Sequence, residues 1–218
     1  MAHYPRYSND IAERISVPQF PDLVRKFIYY QLNPDAPAIH DVDISICPPF
    51  FGCIHVFNSA TCTFYAPNEK GGSMRQIIHC ASGWRDGPAR HDCVFVENDL
   101  KLPGFEGVYV GQVKLLFSFK PHAGAKTLPC ALIQWFTAVG DKPCDITGMW
   151  VVKPEYDANG EHNMSVIHLD SVLRPAHLIP IFGKEHIPHD LHATDSLMAF
   201  NGYYVNKFSD YHAYHLAF

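Results

Sequence analysis

The chain has 218 residues, 47% hydrophobic and 18% charged, with 17 Lys and Arg against 22 Asp and Glu and a formal net charge of −5. A chain of this size supports one large domain whose core needs no disulfide or metal, and its composition argues against extended disorder. The acidic balance leaves no surplus of cations for bulk DNA.

Seven cysteines lack Cys-x-x-Cys spacing, the N-terminus carries no apolar leader run, and no stretch approaches about 18 apolar residues. These features lead to the expectation of an intracellular chain with reduced thiols and no membrane span. Fourteen histidines make its charge sensitive to mild acidification.

Residues 1–20 are polar and punctuated by proline, which predicts a partly packed tail. Pro21 to Leu32 reads as a helix: proline suits a first turn, Asp22 the positive helix end, and Leu23, Val24, Phe27, Ile28 and Gln31 share a face. Asn33-Pro34 ends it. A loop with Pro34 and Pro37 leads into Ile44 to Cys47, and Gly52 to Tyr65 is expected to be a strand or hairpin, followed by a short strand over Met74 to Cys80.

Asp92 to Glu97 opens a block of Val-, Ile-, Phe- and Trp-rich runs separated by Gly, Pro, Asn and Asp. In Val108 to Phe119, Tyr109, Val113, Leu115, Phe117 and Phe119 fall on one face, and Gln112, Lys114 and Ser118 on the other. Ala131 to Phe136 is nearly all apolar and predicts a central strand covered on both sides, with Trp135 in the core. Gly148 to Val152 and Val166 to Asp170 are further strands, and Asp157-Ala-Asn-Gly160 is the strongest turn signal.

From Asp195 the spacing of Leu197, Phe200, Tyr204, Phe208 and Tyr211 is helical, with Thr194 or Asp195 as cap. Gly202 costs that helix about 1 kcal/mol. The predicted fold class is α+β: a central antiparallel β-sheet or small barrel with an N-terminal helix and a C-terminal helix. It divides into a tail and helix over 1–40, a β-rich core over 41–193 and the closing helix over 194–218.

Few residues point to chemistry. His186, His189 and His192 stand at intervals of three, ligand types that zinc accepts. Pro188 interrupts their geometry, so they are weak metal candidates and an exposed linker is the plainer reading. His168 and Asp170 point to one face if the strand continues through both, and a carboxylate beside an imidazole can orient it for base catalysis. No nucleophile context or phosphate-binding glycine motif accompanies them.

Phe136 and Trp150 lie in strand runs where packing is the default role. They join His168 and Asp170 as candidate binding residues. Trp150 is the candidate surface anchor, because polar Thr147 and Lys153 flank its run. No cofactor is expected.

Several blocks resemble a known family. They include Phe64-Tyr-Ala-Pro67, Trp84-Arg85, Gly87-Pro88, Val94-Phe-Val96, Phe117-Ser-Phe119, Pro129-Cys-Ala-Leu132 and Trp135-Phe136. Thr147-Gly-Met-Trp-Val-Val152, Val166-Ile-His-Leu-Asp170, His177-Leu-Ile179 and Tyr204-Val-Asn-Lys207 continue the match. Together, over roughly residues 45–218, they resemble the C-terminal region of the Plavaka-type transposon proteins of mushroom-forming fungi (basidiomycetes).

That resemblance implies an accessory module without the family's upstream RNase-H-like nuclease. The family pattern carries arginine where this chain has Gln134 and Ala138, which argues against a nucleic-acid role for that edge. The strand order also resembles, more loosely, the bromo-adjacent homology modules that read chromatin.

The expectation is a non-enzymatic accessory or interaction module derived from a transposon protein, binding a protein or chromatin partner, with the nucleus one possible location. A DNA-binding accessory of a transposase and a metal-dependent hydrolase are the alternatives.

Overall fold

One strand of twelve residues, Val108–Phe119, organises most of the molecule. The computed structural model describes residues 4–34, 42–66, 69–83, 87–99, 101–183, 191 and 196–217. Two helices come first, α1 (Ser8–Ile15) and α2 (Phe20–Leu32). The strands follow in chain order: β1 (Ile54–Phe57), β2 (Ser59–Tyr65), β3 (Ser73–Ala81), β4 (Arg90–His91), β5 (Cys93–Glu97), β6 (Val108–Phe119), β7 (Leu128–Ala138), β8 (Val151–Pro154), β9 (Met164–His168), β10 (Val172–Ala176), β11 (Leu178–Pro180) and β12 (Tyr203–Val205). Helix α3 (Tyr211–Ala217) ends the described chain. No helix among the described residues is long and apolar enough to cross a membrane.

Among the described residues nine strands form one antiparallel sheet: seven follow the order β10-β5-β6-β7-β8-β12-β11, and β1 and β9 pair off this path with β6 and β7. The first half of β6 pairs with β5 and its second half with β1. Similarly, β7 pairs with β9 and then with β8 along its other edge. Strands β10 and β11 stand at opposite ends of this order, yet only His177 separates them in sequence. The chain therefore passes directly from one edge to the other and brings the sheet close to a closed barrel, which leaves little free edge.

The α+β expectation is corrected by this count: 39% of residues are in strands and 19% in helical segments, so the molecule is mostly β with small helices.

Strand alternation sorts the core into three clusters. Cys93, Phe95, Val108, Val110, Phe136, Val152, Tyr203 and Val205 point to the barrel interior. Leu115, Phe117, Phe119 and Leu132 lie beneath α1 and α2, which contribute Ile11, Ala12, Phe20, Val24, Phe27 and Ile28. Val113, Leu116, Ala131 and Ile133 pack on the opposite face, against Ile78 and Cys80 of the small sheet β2-β3-β4.

One irregularity changes the predicted faces of β6. The register shifts between Val113 and Leu115, so Lys114 forms a β-bulge. Gln112 consequently shares a face with Leu115 and Phe117, opposite Gln134, while Tyr109 falls on the other side and is exposed. Gly111 stands across from Trp135, where a Cβ would come within 2.2 Å of Ile133 Cγ2. A side chain there would overpack the sheet.

The chain ends also differ from expectation. Helix α1 forms within the predicted tail because Ile11 and Ala12 reach the core and Ser16 closes the helix in a left-handed conformation, φ 55°. The predicted closing helix is broken. Residues 196–202 form turns and bends, β12 joins the main sheet between β8 and β11, and only Tyr211–Ala217 is helical. Two buried residues, Tyr203 and Val205, alternate with a partly exposed Tyr204. A strand of three residues is too short to show its period against a helical one. The proposed caps Thr194 and Asp195 lie outside the described residues.

Candidate functional site

The strand that runs along β7 leaves it at one place. Its first part, β8, pairs Pro154 with Phe136, and its second part, β9, resumes at Met164 opposite Gln134. Between them the chain makes a projecting excursion. Glu155 N–H donates to Trp135 O at 3.0 Å and Trp135 N–H to Asn163 O at 3.0 Å, so both backbone groups of Trp135 pin its base.

At the tip, Asp157 Oδ1 accepts from Asn159 N–H at 2.8 Å and from Glu161 N–H at 2.9 Å, with Gly160 at φ 79°. The Tyr156 and His162 rings stack at 4.6 Å. The turn expected at Asp157 to Gly160 is present, and tertiary pairing makes it a protrusion.

Beside this excursion lies an open cleft of 1240 Å³. Its walls come from α2 (Leu23, Lys26, Tyr30), the Phe105-Glu106 turn before β6, the β7–β8 connection and the excursion itself. Leu23, Phe105, Trp135 and Trp150, all partly exposed, contribute apolar surface over the buried Val108, Val110, Phe136 and Val166. Trp150 stacks on Phe105 with centroids 4.9 Å apart and planes at 17°. Trp135 donates from Nε1 to Ser165 Oγ at 2.8 Å and meets Tyr109 edge-on at 5.8 Å. Tyr109 is 51% exposed. Glu106, Asp141, Glu155, Asp157 and Glu161 also line the cleft, against one lysine, Lys26, among the described residues.

Two of the four predicted binding residues meet here. Phe136 is in the cleft lining but only 4% exposed and edge-on to Tyr203 at 5.9 Å, so it is chiefly a core residue. Trp150 is half-buried, just before β8, with its ring on the cleft wall.

The other two are elsewhere and do not form a pair. Strand β9 ends at His168, and Leu169–Ser171 turn helically, so the alternation that would align Asp170 with His168 stops short. His168 packs edge-on to Phe27 at 5.4 Å with Nε2 3.3 Å from Gln31 Oε1, while Asp170 is exposed. His186, His189 and His192 lie outside the described residues, and among the described ones no three His, Cys, Asp or Glu are grouped as for a metal.

The core reading of Trp135 is also corrected: Ala131, Leu132 and Ile133 are closed from solvent, but the indole is half-buried on the cleft. Gln134 is 1% exposed and reaches Met198 Sδ at 3.4 Å. A residue at this position therefore adds nothing to the surface charge.

Phe105, Glu106 and Glu161 were not singled out from the sequence, and Glu155 stood out only as an ordinary solvated carboxylate beside a turn. Their signal was weak: an aromatic between Gly104 and Gly107, and carboxylates flanking a strong turn.

Two histidine pairs sit on the small sheet. His79 Nδ1 and its backbone N–H both bond Asp92 Oδ2, at 3.0 and 2.8 Å, and Arg90 Nε donates to Oδ1 at 2.8 Å. Cys80 Sγ is 3.4 Å from His91 Nδ1, but that nitrogen is 3.0 Å from Val113 O. A nitrogen bonded to a carbonyl carries the hydrogen and cannot take the thiol proton. Burial also pushes the Cys80 thiol up to about 12 and lowers the His91 pKa. The pair is a packing contact rather than an activated nucleophile.

Cys144 is the opposite case. Hydrogen bonds from the Thr147 side chain and from the Thr147 and Ile146 backbone bring its thiol down to about 7. Burial holds Cys93 and Cys130 at about 12. Iodoacetamide at neutral pH is expected to label Cys144 well before Cys80, Cys93 or Cys130, with a rate that rises through a midpoint near 7. Thr147→Val should move the midpoint upward. Peptide mapping by mass spectrometry over a pH series reads it, and a wild-type midpoint at the ordinary thiol value of about 8.5 would contradict the geometry.

No family model matches the chain, and no curated protein or solved structure is significantly similar to it.

Proposed function

We propose that this chain is a non-enzymatic interaction module derived from a transposon protein, taking a protein or chromatin partner in the cleft beside Trp150. The observation that carries this reading is the aromatic wall. Phe105 and Trp150 stack on one another, and half-exposed Tyr109 meets Trp135 edge-on in the same cleft. Partly exposed Trp and Tyr held rigidly over an apolar cleft are the residues that dominate protein recognition, because they contribute large contact area with little loss of conformational freedom.

The carboxylates along the cleft weigh against the DNA-binding alternative, since they would repel phosphate. The hydrolase alternative gains little support from His79 and His91, both engaged in structural hydrogen bonds.

Panning a random peptide library on the immobilised chain tests the proposal. Enriched peptides should protect the backbone around Trp150 and the 155–163 excursion from hydrogen exchange. Phe105→Ala or Trp150→Ala, still folded by circular dichroism, should abolish their binding. Peptides that bind both variants unchanged and leave a footprint elsewhere would refute it.

A further inference from the structure

We infer that the partner this cleft accepts is an extended segment of another protein carrying several Lys or Arg side chains; the inference rests on the proposed binding role of the cleft. Charge complementarity selects this occupant. Among the described residues, Glu106, Asp141, Glu155 and Glu161 line the cleft and make no ion pair, and Lys26 is the single lining lysine or arginine. Asp157 lines it too, although one of its oxygens is committed to the turn.

An acidic rim over apolar and aromatic surface matches a side chain with a cationic head on an aliphatic stem. The stem covers the rings of Phe105 and Trp150 while the head meets the carboxylates. An extended backbone would present such side chains alternately, half of them to the cleft.

A second copy of this chain fits poorly. Its net charge is −5, and its sole adjacent pair of basic residues is Arg25-Lys26. Arg25 already bonds the Ile44 and Cys47 carbonyls at 2.8 and 2.9 Å.

Fluorescence anisotropy of the full chain with a labelled twelve-residue Lys-Val alternating peptide tests the inference. The comparison ligands are its fully lysine-acetylated form, a Glu-Val peptide and labelled spermine. The Lys-Val peptide should bind, weaken steeply as salt rises from about 0.05 to about 0.5 M, and lose about tenfold in affinity in Glu106→Gln/Glu155→Gln/Glu161→Gln. The control triple Glu13→Gln/Glu69→Gln/Asp170→Asn changes net charge equally, outside the cleft, and should bind as wild type does.

Equal loss in both triples would reduce the effect to net charge and overturn the inference. So would acetylated or Glu-Val peptides binding as well as Lys-Val, or spermine binding as tightly as the peptide. If panned peptides depend on Trp150 but ignore the cleft triple, the binding cleft stands and its basic partner falls. If they ignore Trp150 as well, both readings fall.

Discussion

Asp210→Ala is expected to destabilise the fold by about 3–5 kcal/mol, because it leaves a guanidinium charged and buried without its partner. Arg174 on β10 is 3% exposed. Its Nη1 donates to Asp210 Oδ1 at 2.9 Å and its Nη2 to Oδ2, and the guanidinium lies over the Phe64 ring at 4.5 Å. Asp210 Oδ1 also accepts from Ala213 N–H at 2.8 Å, so one carboxylate caps α3 and fastens it to the barrel. Replacing both partners, as Arg174→Met/Asp210→Ala, should recover most of the loss, since an apolar pair removes the stranded charge.

The pair also sets a pH dependence. Burial pushes the Asp210 carboxyl up, but the Arg174 hydrogen bonds and the α3 backbone outweigh that and hold it below its ordinary value. A carboxyl depressed on folding contributes stability that is complete above its unfolded value of about 3.9 and lost as pH falls through its folded one. Urea melts of wild type and Asp210→Asn over the acid range should converge as pH falls below about 4. If they instead run parallel, or if Asp210→Ala melts like wild type, the latch carries no stability.

Phe136→Ala is expected to cost about 3–5 kcal/mol, a large share of the stability of a single domain. Phe136 closes the barrel interior against Val110 and Tyr203, and its removal opens a void among strands that cannot collapse independently. Trp150→Ala should cost less, about 1–2 kcal/mol, because the indole is half-buried and its stacking with Phe105 is one pair at the surface. Thermal melts should therefore place Phe136→Ala well below Trp150→Ala, with binding in the cleft lost in the latter while it stays folded. The reverse order would make Trp150 the structural residue and remove it as a recognition anchor.

Much of the sheet was legible along the chain. The predicted run over Val108 to Phe119 coincides with β6, the apolar run from Ala131 is central in β7, and the helix from Pro21 is α2 with Val24, Phe27 and Ile28 inward. These elements are long enough for their period to exceed local noise. The site was less legible. Trp150 was singled out and lines the cleft, but Phe105 and Glu106 come from the turn before β6 and Glu155 and Glu161 from the excursion between β8 and β9, and no spacing in sequence joins these two connections. His168 and Asp170 look paired only if an extended strand is assumed across both, and the chain turns at Leu169.

Sequence by itself determined the β-rich character, the main strands, the acidic balance and the turn at Asp157 to Gly160, because composition and short-range sterics decide these without distant partners. Tertiary structure alone decided the rest. The bulge at Lys114 reversed the faces of half of β6, since one extra residue shifts the side-chain period. Tyr203–Val205 became a strand because the main sheet offered paired edges at β8 and β11. The cleft exists because β8 and β9 part from β7 around Trp135, and no local preference in either segment encodes where two strands separate.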